Sequence, residues 1–230
     1  MEQKTALIVQ ARMGSKRLPG KVLKEVLGKP LLEYQIERLS KVRLSSQLIV
    51  ATTSLDKDDP IALLCEKMGV AVFRGSEKDV LSRYYEAATE VGAEVIVRVT
   101  ADCPLIDPKL VDEVIERFLF LPPKVDYASN CLERTFPVGM DTEVFSYDTL
   151  KSTWKLAKKP EEREHVTLYM YRGKSPFSVA NVANIRGNQS DVRLTVDTPE
   201  DFKRVEDILT KLYPFKQDFG LDDILEVIHE

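Results

Sequence analysis

What most narrows the fold of this chain is a regular exchange, through its first 120 residues, of short apolar runs with longer amphipathic ones. Ala6–Gln10, Gln47–Ala51, Val70–Phe73 and Glu94–Val99 are short and rich in β-branched residues, as strands are. Between them, Leu31–Val42 carries Leu31, Leu32, Ile36, Leu39 and Val42 at helical spacing. Ile61–Met68 and Val80–Val91 also read as helices, and Pro108 opens one that runs to about Phe120, proline being favoured in a first helical turn. Strand and helix in alternation imply a mostly parallel sheet with helices on both faces, a three-layer α/β/α fold.

The second half is less regular. Lys124–Asn130 and Thr142–Ser146 read as strands around a loop at Cys131–Asp141. Tyr147–Lys158 and Pro160–Tyr171 read as helices, and Phe177–Asn184 and Val192–Val196 as strands. Thr198 as N-cap, Pro199 and the first-turn acids Glu200 and Asp201 open a helix to about Leu212; a last helix spans Leu221–His229. No repeat or low-complexity linker divides the 230 residues, so one domain over 1–230 is expected, with roughly 130–190 as an inserted substrate or interface lobe.

Charge and composition exclude several classes. With net charge -4 there is no generally basic surface to coat a nucleic acid. No stretch approaches the ~20 apolar residues of a membrane span. Cys65, Cys103 and Cys131 form no C-x-x-C pair, which argues against a zinc ribbon or redox motif. Arg12 follows the first apolar run too soon for a signal peptide, so a cytosolic protein with reduced thiols is expected.

Directly after the first strand comes Arg12-Met13-Gly14-Ser15-Lys16-Arg17-Leu18-Pro19-Gly20-Lys21. From Arg12 to Lys29 there are six positive residues and one negative, a net +5 that leaves -9 for the rest. Positive charge gathered around glycines suits an anionic ligand, because glycine lets backbone N–H groups approach oxyanions. The spacing is neither a P-loop nor G-x-G-x-x-G: Gly14 and Gly20 enclose five residues, and Val22 follows Lys21. On charge and glycine content alone, a solvated basic turn fits equally well.

Two acids follow strand-like runs. Asp102 comes after Val95–Val99, where an open α/β sheet binds ligands, and Asp197 comes after Val192–Val196. Each also has a plain structural reading, Asp102 as a turn or capping residue and Asp197 as part of a capping box. Asp107, before Pro108, reads as an N-cap. Asp56-Lys57-Asp58 has the D-x-D form of a metal motif but falls in an apparent surface loop.

The segment A-R-M-G-S-K-R-L-P-G-K, followed by Gly28-Lys29-Pro30-Leu31, resembles the N-terminal signature of the cytidylyltransferases. That family includes CMP-Kdo and CMP-sialic acid synthetases and the SpsF-type proteins of spore coat polysaccharide biosynthesis, which the chain resembles most closely. The resemblance implies a Rossmann-like nucleotide-diphospho-sugar transferase sheet and transfer of CMP from CTP to a sugar with release of pyrophosphate. Magnesium is then held by Asp102 and Asp197, and the triphosphate by Arg12 and Lys21. Gln10, Ala11, Met13, Gly14, Ser15, Thr100 and Ala101 would line the nucleotide site. Arg74, Ser76 and Asp79 would help hold the base, although Ser76 and Asp79 read equally well as N-caps. In Gly139-Met140-Asp141-Thr142-Glu143 and Arg163-Glu164-His165-Val166-Thr167, the likeness makes Asp141, Glu143, Arg163 and His165 candidate sugar contacts. It also implies a homodimer whose partners are CTP and a sugar, with no nucleic acid and no membrane insertion. Two alternatives stay open: another nucleotide or a sugar phosphate as substrate, or a catalytically silent nucleotide sensor beside a glycosyltransferase.

Overall fold

The computed structural model describes residues 3–229; of the expected domain span, Met1, Glu2 and Glu230 lie outside the described residues. β1 (Thr5–Gln10) is flanked on both sides by parallel partners. After it come β2 (Glu25–Val26) and β3 (Lys29–Pro30), a small hairpin, and α1 (Leu31–Leu39). β4 (Gln47–Thr53), α2 (Asp59–Met68) and β5 (Ala71–Gly75) extend the sheet to one side. α3 (Val80–Glu90) then returns the chain to β6 (Val95–Thr100), on the other side of β1. α4 (Pro108–Leu119), β7 (Tyr127–Ser129) and β8 (Glu143–Ser146) follow, then α5 (Tyr147–Leu156), α6 (Pro160–Glu164), α7 (Leu168–Tyr171) and β9 (Val179–Asn181). α8 (Pro199–Leu212) and α9 (Leu221–His229) close the described chain.

The seven-stranded sheet has the order β5-β4-β1-β6-β8-β7-β9, parallel except where β8 runs antiparallel to β6 and β7. Its central strands alternate between two cores, as a period of two requires. Leu7 and Val9 of β1 pack with Leu32, Ile36, Ile61 and Val111, whereas Ala6 and Ile8 pack with Leu81, Tyr84, Leu150 and Met170. Helices α1, α2 and α4 therefore cover one face and α3, α5 and α7 the other. A third cluster joins α8 and α9 to Leu31, Tyr34, Leu105 and Leu18 of the basic loop.

Four of the expected elements differ clearly. Pro160–Tyr171 is broken into α6 and α7 by Val166, which sits buried at φ 54°. A left-handed β-branched residue cannot continue a helix, and such strain persists only where the surroundings hold it. Val192–Val196 joins no strand of the sheet. It is extended, with a single bridge between Val138 and Arg193, and Leu194 N–H donates to the Val138 carbonyl at 2.7 Å. Gly139, at φ 112°, makes this docking possible: a Cβ there would lie 2.8 Å from the Leu194 carbonyl carbon. Lys124–Asn130 and Phe177–Asn184 contract to three residues each, β7 and β9.

Candidate active site

The chain steps outward from β1 to β4 and β5, then returns to β6 on β1's opposite side. In open α/β sheets this reversal leaves a crevice beyond the carboxyl ends of the two strands concerned. A cleft of about 990 Å³ lies there, lined by Gln10 at the end of β1 and Thr100, Ala101 and Asp102 at the end of β6.

The basic loop forms one wall of the cleft through Arg12, Gly14, Ser15, Lys16, Arg17 and Lys21. Its ends meet at Met13, whose carbonyl accepts from Ser15 N–H at 2.9 Å and from Gly20 N–H at 3.1 Å. Gly20 is left-handed (φ 67°), a conformation glycine adopts without strain, and it leads into a short 3-10 turn at Lys21–Leu23. Leu18 is buried in the third cluster and pins the loop's middle.

Lys21 reaches from this loop to both acids. Its ammonium lies 2.9 Å from Asp197 Oδ1 and 3.4 Å from Asp102 Oδ2. Asp102 and Asp197 are 95 positions apart, and the backbone closes that gap: Val196 N–H donates to the Asp102 carbonyl at 2.9 Å. Asp197 therefore reaches the cleft from an extended segment docked on the post-β6 loop, not from a sheet strand. Thr100 Oγ1 donates to Asp102 Oδ1. Arg193 and Arg17 also reach Asp197 Oδ2, at 2.5 and 3.1 Å, so two basic residues besides Lys21 neutralise it. Burial works to raise the Asp197 carboxyl, but the Lys21 hydrogen bond and the charges of Lys21, Arg17 and Arg193 outweigh it and hold it below the ordinary aspartate value. The Thr198–Asp201 capping box is present as well, so Asp197 stands just outside a conventional helix start.

A second cleft of about 400 Å³ adjoins the first, and Thr100 and His165 line both. Its floor is a buried network. Arg98 pairs with Glu143 Oε2, while Tyr127 and Thr167 donate to Oε1 at 2.7 and 2.5 Å. Arg134 clamps Asp141 with two bonds, at 2.5 and 2.7 Å. Asp141, Glu143 and His165 thus share one cavity, and Arg163 lines the larger cleft beside His165.

Other candidates lie elsewhere. Ala11 is buried, its N–H bonded to the Ala51 carbonyl, and Met13 packs against the core. Arg74 braces the β4–α2 connection through the Thr53 and Leu55 carbonyls and Asp59. Ser76 accepts from Asp79 N–H, and Asp79 caps α3 and grips Arg163, so the capping alternative describes both. Cys103 is fully buried and its thiol is pushed well up by that burial, an inert position for a nucleophile. Asp58, set aside with its D-x-D run as surface, is fully buried against the basic loop. Arg17 and Thr167 stand inside the two quoted segments without being singled out there, and Arg193 and Tyr127 carry no local signal of a site.

The model of the family described as "Cytidylyltransferase" matches residues 6–220. The chain belongs to the cytidylyltransferase family. It is 34% identical, over 89% of its length and 85% of the relative's, to the spore coat polysaccharide biosynthesis protein SpsF of Bacillus subtilis. It is 43% identical over 85% of its length to an uncharacterised protein of Methanocaldococcus jannaschii, covering 79% of that protein. A solved cytidylyltransferase from Leptospira borgpetersenii superposes with a TM-score of 0.93 at 35% identity, over 99% of this chain and 94% of the other. As a cytidylyltransferase the chain is a nucleotidyltransferase with the mostly parallel, two-sided sheet of that fold. Among the described residues no helix is long and apolar enough to cross a membrane.

Proposed function

We propose that this cytidylyltransferase transfers CMP from CTP to a hydroxyl of a sugar and releases pyrophosphate. The observation that carries the reading is the meeting of two carboxylates from distant segments on one ammonium, beneath a basic glycine loop. In the reaction the acceptor oxygen bonds to the α-phosphorus and gives up its proton to solvent, while the bond from that phosphorus to the β-bridging oxygen breaks and its electron pair leaves on pyrophosphate. Arg12 and Lys21 hold the phosphates and offset the charge that builds on them. No protein nucleophile is needed, in keeping with the inert Cys103.

Asp102 and Asp197 fit magnesium. They already face one cationic position, which the Lys21 ammonium fills, and magnesium is typically bound through one or two carboxylates plus phosphate oxygens. When bound, the ion would neutralise phosphate charge and orient the triphosphate. The acceptor is assigned to the adjoining cleft, where Asp141, Arg134 and His165 supply polar groups at sugar scale. The chain is proposed to act as one nucleotidyltransferase domain.

The test is pyrophosphate release with each of the four nucleoside triphosphates across a panel of acidic and amino sugars. CTP is expected to support release with one sugar class, and to raise the unfolding temperature more than ATP, GTP or UTP at equal concentration with magnesium. A larger shift with another nucleotide would overturn the cytidylyl assignment.

A further inference from the structure

We propose that Asp58 is a positioning residue for the nucleotide: a buried carboxylate that fixes the geometry of the basic loop through the Met13 peptide. The inference rests on the reading of that loop as the triphosphate's site.

Asp58 lies 48 positions beyond β1, in a 3-10 turn at Asp56–Asp58 between β4 and α2. Charged side chains turn outward at such places, yet Asp58 is 0% exposed. One carboxylate oxygen accepts from Met13 N–H at 2.6 Å, and the other accepts from the Thr53 hydroxyl. Among the described residues it makes no direct ion pair, although the charge of the buried Arg83 acts on it at longer range. A buried carboxylate without a direct ion pair is costly and persists only where its hydrogen bonds serve something. Here one serves the Met13 N–H and the other ties the carboxylate to Thr53 of β4.

Met13 is where the loop closes. Met13 N–H goes to Asp58, and the Met13 carbonyl accepts from both Ser15 and Gly20. Residues 13–20 are thus a closed ring, and its joint is fastened to the sheet through Asp58 and Thr53. Arg12 and Gly14, the neighbours of Met13, line the cleft, and Lys21 follows directly on Gly20. If the joint slips, the Arg12 guanidinium, the loop amides and the Lys21 ammonium lose their common frame. A misplacement of about 1 Å in groups that position a substrate can cost about 10²-fold in reaction.

The same turn also reaches over the loop. Lys57, next to Asp58, pairs with Glu77, and a Cβ on Gly14 would lie 3.3 Å from the Lys57 ammonium and 3.5 Å from the Glu77 carboxylate. Asp58 holds the loop from beneath while Lys57 and Glu77 close over Gly14. The turn is therefore built around the loop.

The experiment compares Asp58→Ala with Asp112→Ala. Asp112 is a buried-carboxylate control at the other end of the sheet: it is 4% exposed, its carboxylate accepts from Arg43 and Leu44 N–H before β4, and it also pairs with the exposed Arg43 guanidinium at 3.2 Å. Both variants should lose thermal stability. At a temperature well below both unfolding midpoints, Asp58→Ala should raise the KM for CTP by about tenfold or more, the scale of one lost charge-assisted contact, with the acceptor KM unmoved. Asp112→Ala should leave both KM values near wild type. Asp58→Asn keeps an oxygen for Met13 N–H, and the Thr53 hydroxyl can turn to accept from its amide. It should restore the CTP KM to within about threefold of wild type. If Asp58→Ala does not fold, Asp58→Ser, too short to reach Met13, takes its place in the comparison.

An unchanged CTP KM in the Asp58 variants, or an equal rise in Asp112→Ala, overturns the proposal. A rise in Asp58→Asn as large as in Asp58→Ala also overturns it, because the charge and not the hydrogen bond would then be at work. Failure of the wild-type protein to bind any nucleoside triphosphate by calorimetry would instead remove the reading of the loop itself.

Discussion

Two acid–base clusters lie a few residues apart at the end of β6, and they are built in opposite ways. Around Arg98 the network is closed: Glu143 receives Arg98 on one oxygen and Tyr127 and Thr167 on the other, and the Arg98 and Glu143 side chains are 12% and 9% exposed. Around Lys21 it is open: one ammonium is divided between two carboxylates, one of them at 3.4 Å, and Asp102 is 27% exposed to the cleft. Arginine's planar fork suits a fixed pairing, whereas the lysine ammonium is a compact charge on a flexible stem with three rotatable donors. The closed cluster holds a wall in place. The open one, on the proposed function, exchanges its partners for phosphate oxygens.

The largest effect should come from breaking the closed cluster. Glu143→Ala strands the Arg98 guanidinium and two hydroxyls in the interior, which should lower folding stability by about 3–5 kcal/mol, the range for removing one partner of a buried pair. Urea unfolding measures it; a loss below about 1 kcal/mol, the level of a surface pair, would mean that this wall is not held by charge.

Lys21→Ala should do the reverse. Turnover is expected to fall by about 10²–10³-fold, as when one oriented donor to developing charge is removed, with little change in the unfolding midpoint. Lys21→Arg should not restore it, because a fork cannot occupy the ammonium's place between Asp102 and Asp197. Near-normal turnover in Lys21→Ala would show the open cluster to be mere surface charge.

The acids come next. Asp102→Asn and Asp197→Asn should each reduce turnover in magnesium, while CTP binding measured without divalent metal is kept or improved as a repelling charge is lost. The pH dependence gives a second measure for Asp197. Its carboxyl is held below the ordinary value, so its contribution to stability is complete above the unfolded value of about 3.9 and is lost as pH falls through the lower folded one. The stability gap between wild type and Asp197→Asn should be flat above about pH 5 and shrink below pH 4. A gap that persists at low pH would place the effect in packing.

The contrast also marks what the sequence could reveal. The parallel half was legible because its strands are continuous apolar runs and its helices carry a clear period, signals that do not depend on distant residues. The basic loop was legible for a similar reason: its charges and glycines are contiguous. Val192–Val196 has a strand's composition, yet it docks against Gly139 and the Asp102 carbonyl, and only the fold supplies those partners. Asp58 was missed because D-x-D between a strand and a helix looks solvated, and nothing local says that Met13 will lie above it. The break at Val166 was hidden too, since Thr167 leaves the helix to reach Glu143, 24 positions back.

The smallest expected effect separates a strap from a substrate contact. Arg163 meets both oxygens of Asp79, and also bonds Ser82 Oγ and the Trp154 carbonyl, each at 2.7 Å. It therefore ties α6, which borders the cleft, to the start of α3. The two side chains are 19% and 34% exposed, so solvent screens the pair and its coupling should be about 1 kcal/mol in a double-mutant cycle of Arg163→Met with Asp79→Asn. If Arg163 is only a strap, either substitution loosens α6 and both shift the acceptor KM alike. If its guanidinium also meets the sugar, Arg163→Met should raise the acceptor KM beyond what Asp79→Asn does, by roughly a further fivefold, about 1 kcal/mol. Equal shifts in the two variants would leave Arg163 as a brace and assign sugar recognition to the closed cluster's cleft, where His165, Asp141 and Arg134 stand.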